Sequence, residues 1–145
     1  MIVFSHGNSY SASTYRRLFD GWRAAGHEVT SIEHFGHDTQ FPVDRRWSGM
    51  TQQLTGLIDS LPQSRVWLVG HSMGGKVAMQ AALDHPERIE RVLVGDIAPV
   101  AYLPHHARVF AALREAAADT IADRRATQCI LERHIAEPGV VAFML

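Results

Sequence analysis

Three residues in the middle of the chain have the types and spacing for nucleophilic chemistry: Gly70, Ser72 and Gly74, within Val69-Gly70-His71-Ser72-Met73-Gly74-Gly75-Lys76. In a G-x-S-x-G turn, a sharp strand-to-helix reversal holds the serine in a strained backbone conformation and lifts its hydroxyl clear of the sheet. Five residues are too few to be trusted alone, so the flanking pattern decides. The motif requires a strand before it and a helix after it. Val66-Trp67-Leu68-Val69 is a short, continuous apolar run that ends at Gly70, and helical periodicity follows from Lys76 to Asp84.

A serine attacking a carbonyl also needs donors for the oxyanion. The backbone N–H of Met73, the residue after the serine, is one. A second must come from another loop, and Gly7 and Asn8 in His6-Gly7-Asn8, just past the first strand, supply it through the N–H of Asn8. His6 reads as a buried turn histidine and not as a proton carrier. Asp96 stands at the carboxyl end of the fourth strand.

The elements that position these groups follow from periodicity. Strands are expected at Ile2 to Ser5, His27 to Ile32, Arg65 to Gly70 and Val92 to Gly95. A helix carries Tyr15, Leu18, Phe19 and Trp22 on one face, with Ser13 or Thr14 as its cap and Gly26 as its stop. A second, capped by Ser48, carries Met50, Leu54, Leu57, Ile58 and Leu61 and ends at Pro62. Glu33 to Trp47 is a long connection. The continuous apolar run at residues 66–69 predicts a strand covered on both faces. The alternation predicts an α/β fold, a partial doubly wound parallel sheet of about four strands with flanking helices. If the strands lie in the order second, first, third, fourth, the winding reverses between the first and third, where His6-Gly7-Asn8 and Ser72 meet.

Beyond Pro99 only helices are expected, near His105 to Ala118, near Ala122 to Ile135 and from Glu137 onward. They form either a cap-like segment or a plain C-terminal layer. The division is therefore a partial core at 1–98 and a helical segment at 99–145.

Composition narrows the partners. The chain has 145 residues, 46% of them hydrophobic, with 15 acidic and 14 basic side chains and no run of like charge. This balance gives no footprint for nucleic acid or an anionic membrane and suits a small-molecule ligand. Cys129 is the single cysteine, so no internal disulfide forms. Without a signal-like or spanning stretch, the default location is the cytoplasm. No metal cluster or phosphate loop is present, so no cofactor is implied. The apolar ends, Met1-Ile2-Val3-Phe4 and Val140 to Leu145, read as those of a larger fold.

Phe4-Ser5-His6-Gly7-Asn8, Gly70-His71-Ser72-Met73-Gly74-Gly75 and His85-Pro86-Glu87-Arg88-Ile89 together resemble the α/β-hydrolase fold family. The second half is similar to small bacterial esterases of the YbfF type, through Asp96-Ile97-Ala98-Pro99-Val100 and the Gly139 to Leu145 pattern. His6-Gly7-Asn8 also resembles haloalkane dehalogenases, which use aspartate where this chain has Ser72. The resemblance implies a serine hydrolase acting on esters or thioesters through an acyl-enzyme. It also implies a triad acid at Asp96, as in YbfF-type enzymes, or one strand later, past Leu145, as in other members. The family's catalytic histidine follows the last strand, and none of the nine histidines, including His34, His37, His71, His85, His105, His106 and His134, occupies that position. His71 is expected to pack under the turn. A non-catalytic binding module and an acyltransferase are the alternative readings.

Overall fold

The computed structural model describes residues 1–38, 41–42, 46–102, 106–118 and 123–145. His105 and Ala122, which the sequence places at helix starts, lie outside the described residues. The chain forms two compact units, Met1–Val100 and Ala101–Leu145.

The first unit opens with β1 (Ile2–Ser5), every residue of which is buried. A 3-10 turn over Ala12–Tyr15 leads into α1 (Arg16–Ala24) and then β2 (Val29–Ser31). Ser13 and Thr14 lie inside that turn and do not cap the helix; α1 starts from Tyr15. A two-residue hairpin, β3 (His37–Asp38) and β4 (Phe41–Pro42), interrupts the long connection. Next come α2 (Trp47–Asp59), β5 (Val66–His71), α3 (Met73–Asp84) and β6 (Ile89–Gly95). Ser48 is the second residue of α2, whose N-cap is Arg46, so α2 begins two residues earlier than the sequence suggests.

Four parallel strands form the sheet in the order β2-β1-β5-β6, with Phe4 opposite Val69, Ser5 opposite Gly70 and His71 opposite Gly95. The winding therefore reverses between β1 and β5, and the loops leaving their carboxyl ends flank one crevice. On one face Val3, Val66 and Leu68 pack against Leu54 and Ile58 of α2 and Val77, Ala78 and Ala81 of α3. Burying each large aliphatic side chain there contributes about 1.5–3 kcal/mol. On the other face Phe4, Phe19 and Ala12 form a smaller cluster with Tyr15, Trp22 and Val29.

The expectation that β5 is covered on both faces is not met. Its residues alternate strictly, with Val66, Leu68 and Gly70 buried and Trp67, Val69 and His71 only half-buried. The nine-residue α1 serves Phe4 and β2, which leaves the β5–β6 side open: Leu93 is 61% and Leu18 44% exposed. A continuous apolar run is enough to read a strand and not enough to say what covers it.

Arg88 closes the base of the unit. It donates from Nη2 to the carbonyl of Ile58 at 2.6 Å and from Nη1 to those of Gln63 and Ser64 at 2.9 and 3.0 Å. These include the Ile58 carbonyl near the end of α2, which also accepts the Leu61 N–H at 3.1 Å.

The second unit contains α4 (Ala107–Ala118), α5 (Arg124–His134) and α6 (Pro138–Met144). Ala112, Leu131, Ile135 and Val141 form its core. Asp123 caps α5 by accepting the Ala126 N–H at 2.6 Å. Glu115 of α4 meets both Arg133 and His134 of α5, at 2.7 and 2.5 Å. Among the described residues no helix is long and apolar enough to cross a membrane.

Candidate active site

Ser72 sits between the last residue of β5 and the first of α3, with φ 51° and ψ −119°. For a residue with a Cβ this is sparsely populated backbone that costs about 1–3 kcal/mol and persists only where the surroundings enforce it. The surroundings are specific. The Ser72 N–H donates to the Gly95 carbonyl at 2.9 Å, and the Ser72 carbonyl accepts from Gly75 and Lys76 to start α3.

The glycines explain how so tight a turn can exist. A methyl group on Gly70 would lie 2.5 Å from the Gly74 carbonyl oxygen, and one on Gly74 would fall onto the carbonyl oxygens of Ser5 and His6. The first turn of α3 therefore rests directly on the end of β1. That contact brings the His6-Gly7-Asn8 turn beside the serine turn, and a cavity of about 330 Å³ opens there, lined by Asn8, Met73, His6, His34, Phe35, Met50 and Ser9. Asn8 and Met73, from two different loops, share its wall.

His6 is 1% exposed and fully committed. Its Nε2 accepts the Phe35 N–H at 2.9 Å, so Nδ1 carries the proton and donates to the Gly7 carbonyl at 2.8 Å. The ring is a brace for the turn.

Asp96 follows Gly95 at the exit of β6, with φ 59° and a side chain 81% exposed. Its carboxylate faces Nε2 of His71 at 3.6 Å. His71 is not packed under the turn as its position suggests. It projects from the half-open face of β5, and its Nδ1 lies 2.8 Å from the hydroxyl of Tyr15. That hydroxyl also accepts the Gly7 N–H at 3.2 Å. Elsewhere, His85 faces Glu87 and His134 faces Glu115. His37 begins β3. Among the described residues, three or more His, Cys, Asp or Glu side chains nowhere gather as they would around a metal ion.

A strained serine at the exit of a central parallel strand, braced by glycines and followed by Met73 of the cavity wall, can be compared with known proteins. Residues 2–142 match the model of the alpha/beta hydrolase family. The chain belongs to that family. It is 38% identical over 105 residues to an sn-1-specific diacylglycerol lipase of Mus musculus, covering 71% of this chain and 34% of the relative. It is 32% identical over 122 residues to esterase YbfF of Escherichia coli, covering 82% of this chain and 48% of the relative. A solved marine microorganism esterase superposes with a TM-score of 0.65 at 26% identity, over 98% of this chain and 57% of that one. The chain thus spans between about a third and about half of the length of the curated relatives it matches.

Within this alpha/beta hydrolase chain, sequence reasoning missed Tyr15 as a residue of the site. Its helical spacing with Phe19 and Trp22 marked it as core, and its ring does pack on Phe4 at 4.7 Å. The signal that could have found it is the hydroxyl: a buried tyrosine oxygen needs a partner. The partner, His71, lies 56 residues away in sequence.

Proposed function

We propose that this chain carries the nucleophile of a serine hydrolase acting on carboxylic esters or thioesters, with Ser72 forming an acyl-enzyme. The observation that carries the reading is the Ser72 backbone, φ 51° and ψ −119°, held at the carboxyl end of β5 one residue before Met73 of the cavity wall. Strain of this kind is retained where packing over-determines it, and here the residue it holds is a serine. Two relatives named esterase and diacylglycerol lipase support the choice of ester substrates.

In this reading the Ser72 Oγ attacks the substrate carbonyl carbon as its proton leaves to a base. The resulting oxyanion is held by the N–H groups of Met73 and Asn8, and removing one such donor typically costs 10²- to 10³-fold in rate. Collapse breaks the C–O or C–S bond and releases the alcohol or thiol with a proton. Water then cleaves the acyl-enzyme to the carboxylic acid and regenerates Ser72. Asp96 directly follows Gly95, whose carbonyl accepts the Ser72 N–H, and in this reading it is the candidate acid.

A second reading, a binding module without turnover, is favoured by one observation: His6, His71, His85 and His134 all have partners other than Ser72. A serine without a base is a weak nucleophile. A fluorophosphonate probe tests the first reading. Labelling at Ser72, abolished in Ser72→Ala, is the expected result; equal labelling of both proteins would remove Ser72 as the nucleophile. Binding of a substrate ester without turnover or labelling would select the module.

A further inference from the structure

We propose that Tyr15 is a positioning residue that ties the Asn8 arm of the anion site to the serine turn through His71, with Asp96 fixing the histidine's tautomer. This rests on the reading of Ser72, Met73 and Asn8 given above.

A phenol has one proton to give and lone pairs to receive. The Gly7 N–H can only donate, so at 3.2 Å the Tyr15 oxygen accepts from it. Nδ1 of His71 lies 2.8 Å from the same oxygen, and we place the single phenolic proton in that bond. Nδ1 is then the acceptor, so the neutral ring carries its proton on Nε2, the nitrogen that faces the Asp96 carboxylate at 3.6 Å. Every group in the series Gly7, Tyr15, His71, Asp96 has one consistent role. An imidazolium at His71 would present a donor at Nδ1 as well, and the phenolic proton would lose that acceptor.

The placement gives the series its effect. Gly7 directly precedes Asn8, and His71 directly precedes Ser72, so one hydroxyl bridges the neighbours of both arms of the site. The fit leaves no slack: a methyl group on Gly7 would lie 2.8 Å from His71 Nδ1 and 3.1 Å from the Tyr15 oxygen. The Tyr15 ring is itself fixed against Phe4 of β1, with centroids 4.7 Å apart. The Asn8 N–H is therefore held at a set separation from the Met73 N–H by a side chain that touches neither.

Tyr15→Phe removes the hydroxyl and keeps the ring. Three readouts test the tether. Histidine ring ¹H–¹⁵N correlations should show His71 protonated at Nε2 alone. Amide exchange of Gly7 and Asn8 should quicken about tenfold in Tyr15→Phe, as for loss of one hydrogen bond. His71→Asn, whose side-chain oxygen can replace Nδ1 as acceptor, should keep exchange slow where His71→Ala does not. Fluorophosphonate labelling of Ser72 should slow in step with Asn8 exchange. A proton on Nδ1 of His71, or unchanged Asn8 exchange in Tyr15→Phe, overturns the proposal. If the unaltered protein is not labelled at all, the nucleophile reading fails, and the ring tautomer and amide exchange still decide the tether.

Discussion

Neighbouring strands β5 and β6 each end on a polar, non-glycine residue with positive φ, Ser72 at 51° and Asp96 at 59°, and the two exits are built in opposite ways. Under Ser72, Gly70, Gly74 and Gly75 leave no room for a single added carbon, and the turn is locked against the end of β1. Asp96 stands in the open with most of its side chain in solvent. An aspartate tolerates left-handed backbone through local hydrogen bonding, so its conformation is cheap. Serine at φ 51° and ψ −119° has no such local remedy. Unusual backbone alone thus does not mark a nucleophile; unusual backbone enforced by close packing does.

Substitutions can break this contrast in order of size. Gly74→Ala should be the most damaging, because the new carbon lands on the Ser5 and His6 carbonyls. A loss of about 3 kcal/mol or more in denaturant unfolding is expected. A loss near zero would mean that the turn is not locked. Ser72→Gly should act in the other direction, relieving strain and raising stability by a net ~1 kcal/mol while abolishing probe labelling. Asp96→Gly should change unfolding by less than about 0.5 kcal/mol, since the residue is exposed and its φ is tolerable to aspartate. If the Ser72 and Asp96 substitutions shift stability equally, packing does not distinguish the two exits.

Much of this was readable from the amino acids because it rests on local rules. The four strands and the Gly70-x-Ser72-x-Gly74 turn follow from apolar runs and from positions that admit no side chain; the strand order that puts the reversal between β1 and β5 is permitted by the sequence and supplied by the structure. The start of α1 was misread because Ser13 and Thr14 carry the chemistry of a cap while the chain instead makes a 3-10 turn through them. The open side of β5 was invisible because Trp67 and Val69 are apolar whether or not a helix covers them. Tyr15 and His71 were assigned to packing for a related reason. Each has a bland local role, and only the fold brings a hydroxyl from the helix entry to a ring nitrogen on the third sheet strand in chain order.

Arg88 has a consequence for how the molecule breathes. Its guanidinium binds carbonyls of Ile58, Gln63 and Ser64 from a position one residue before β6. The last turn of α2 and the approach to β5 cannot fray alone, as most helix ends do, without releasing the entry to β6. Segments some thirty residues apart in sequence are thereby joined into one cooperative opening unit, whose amides would lose protection together.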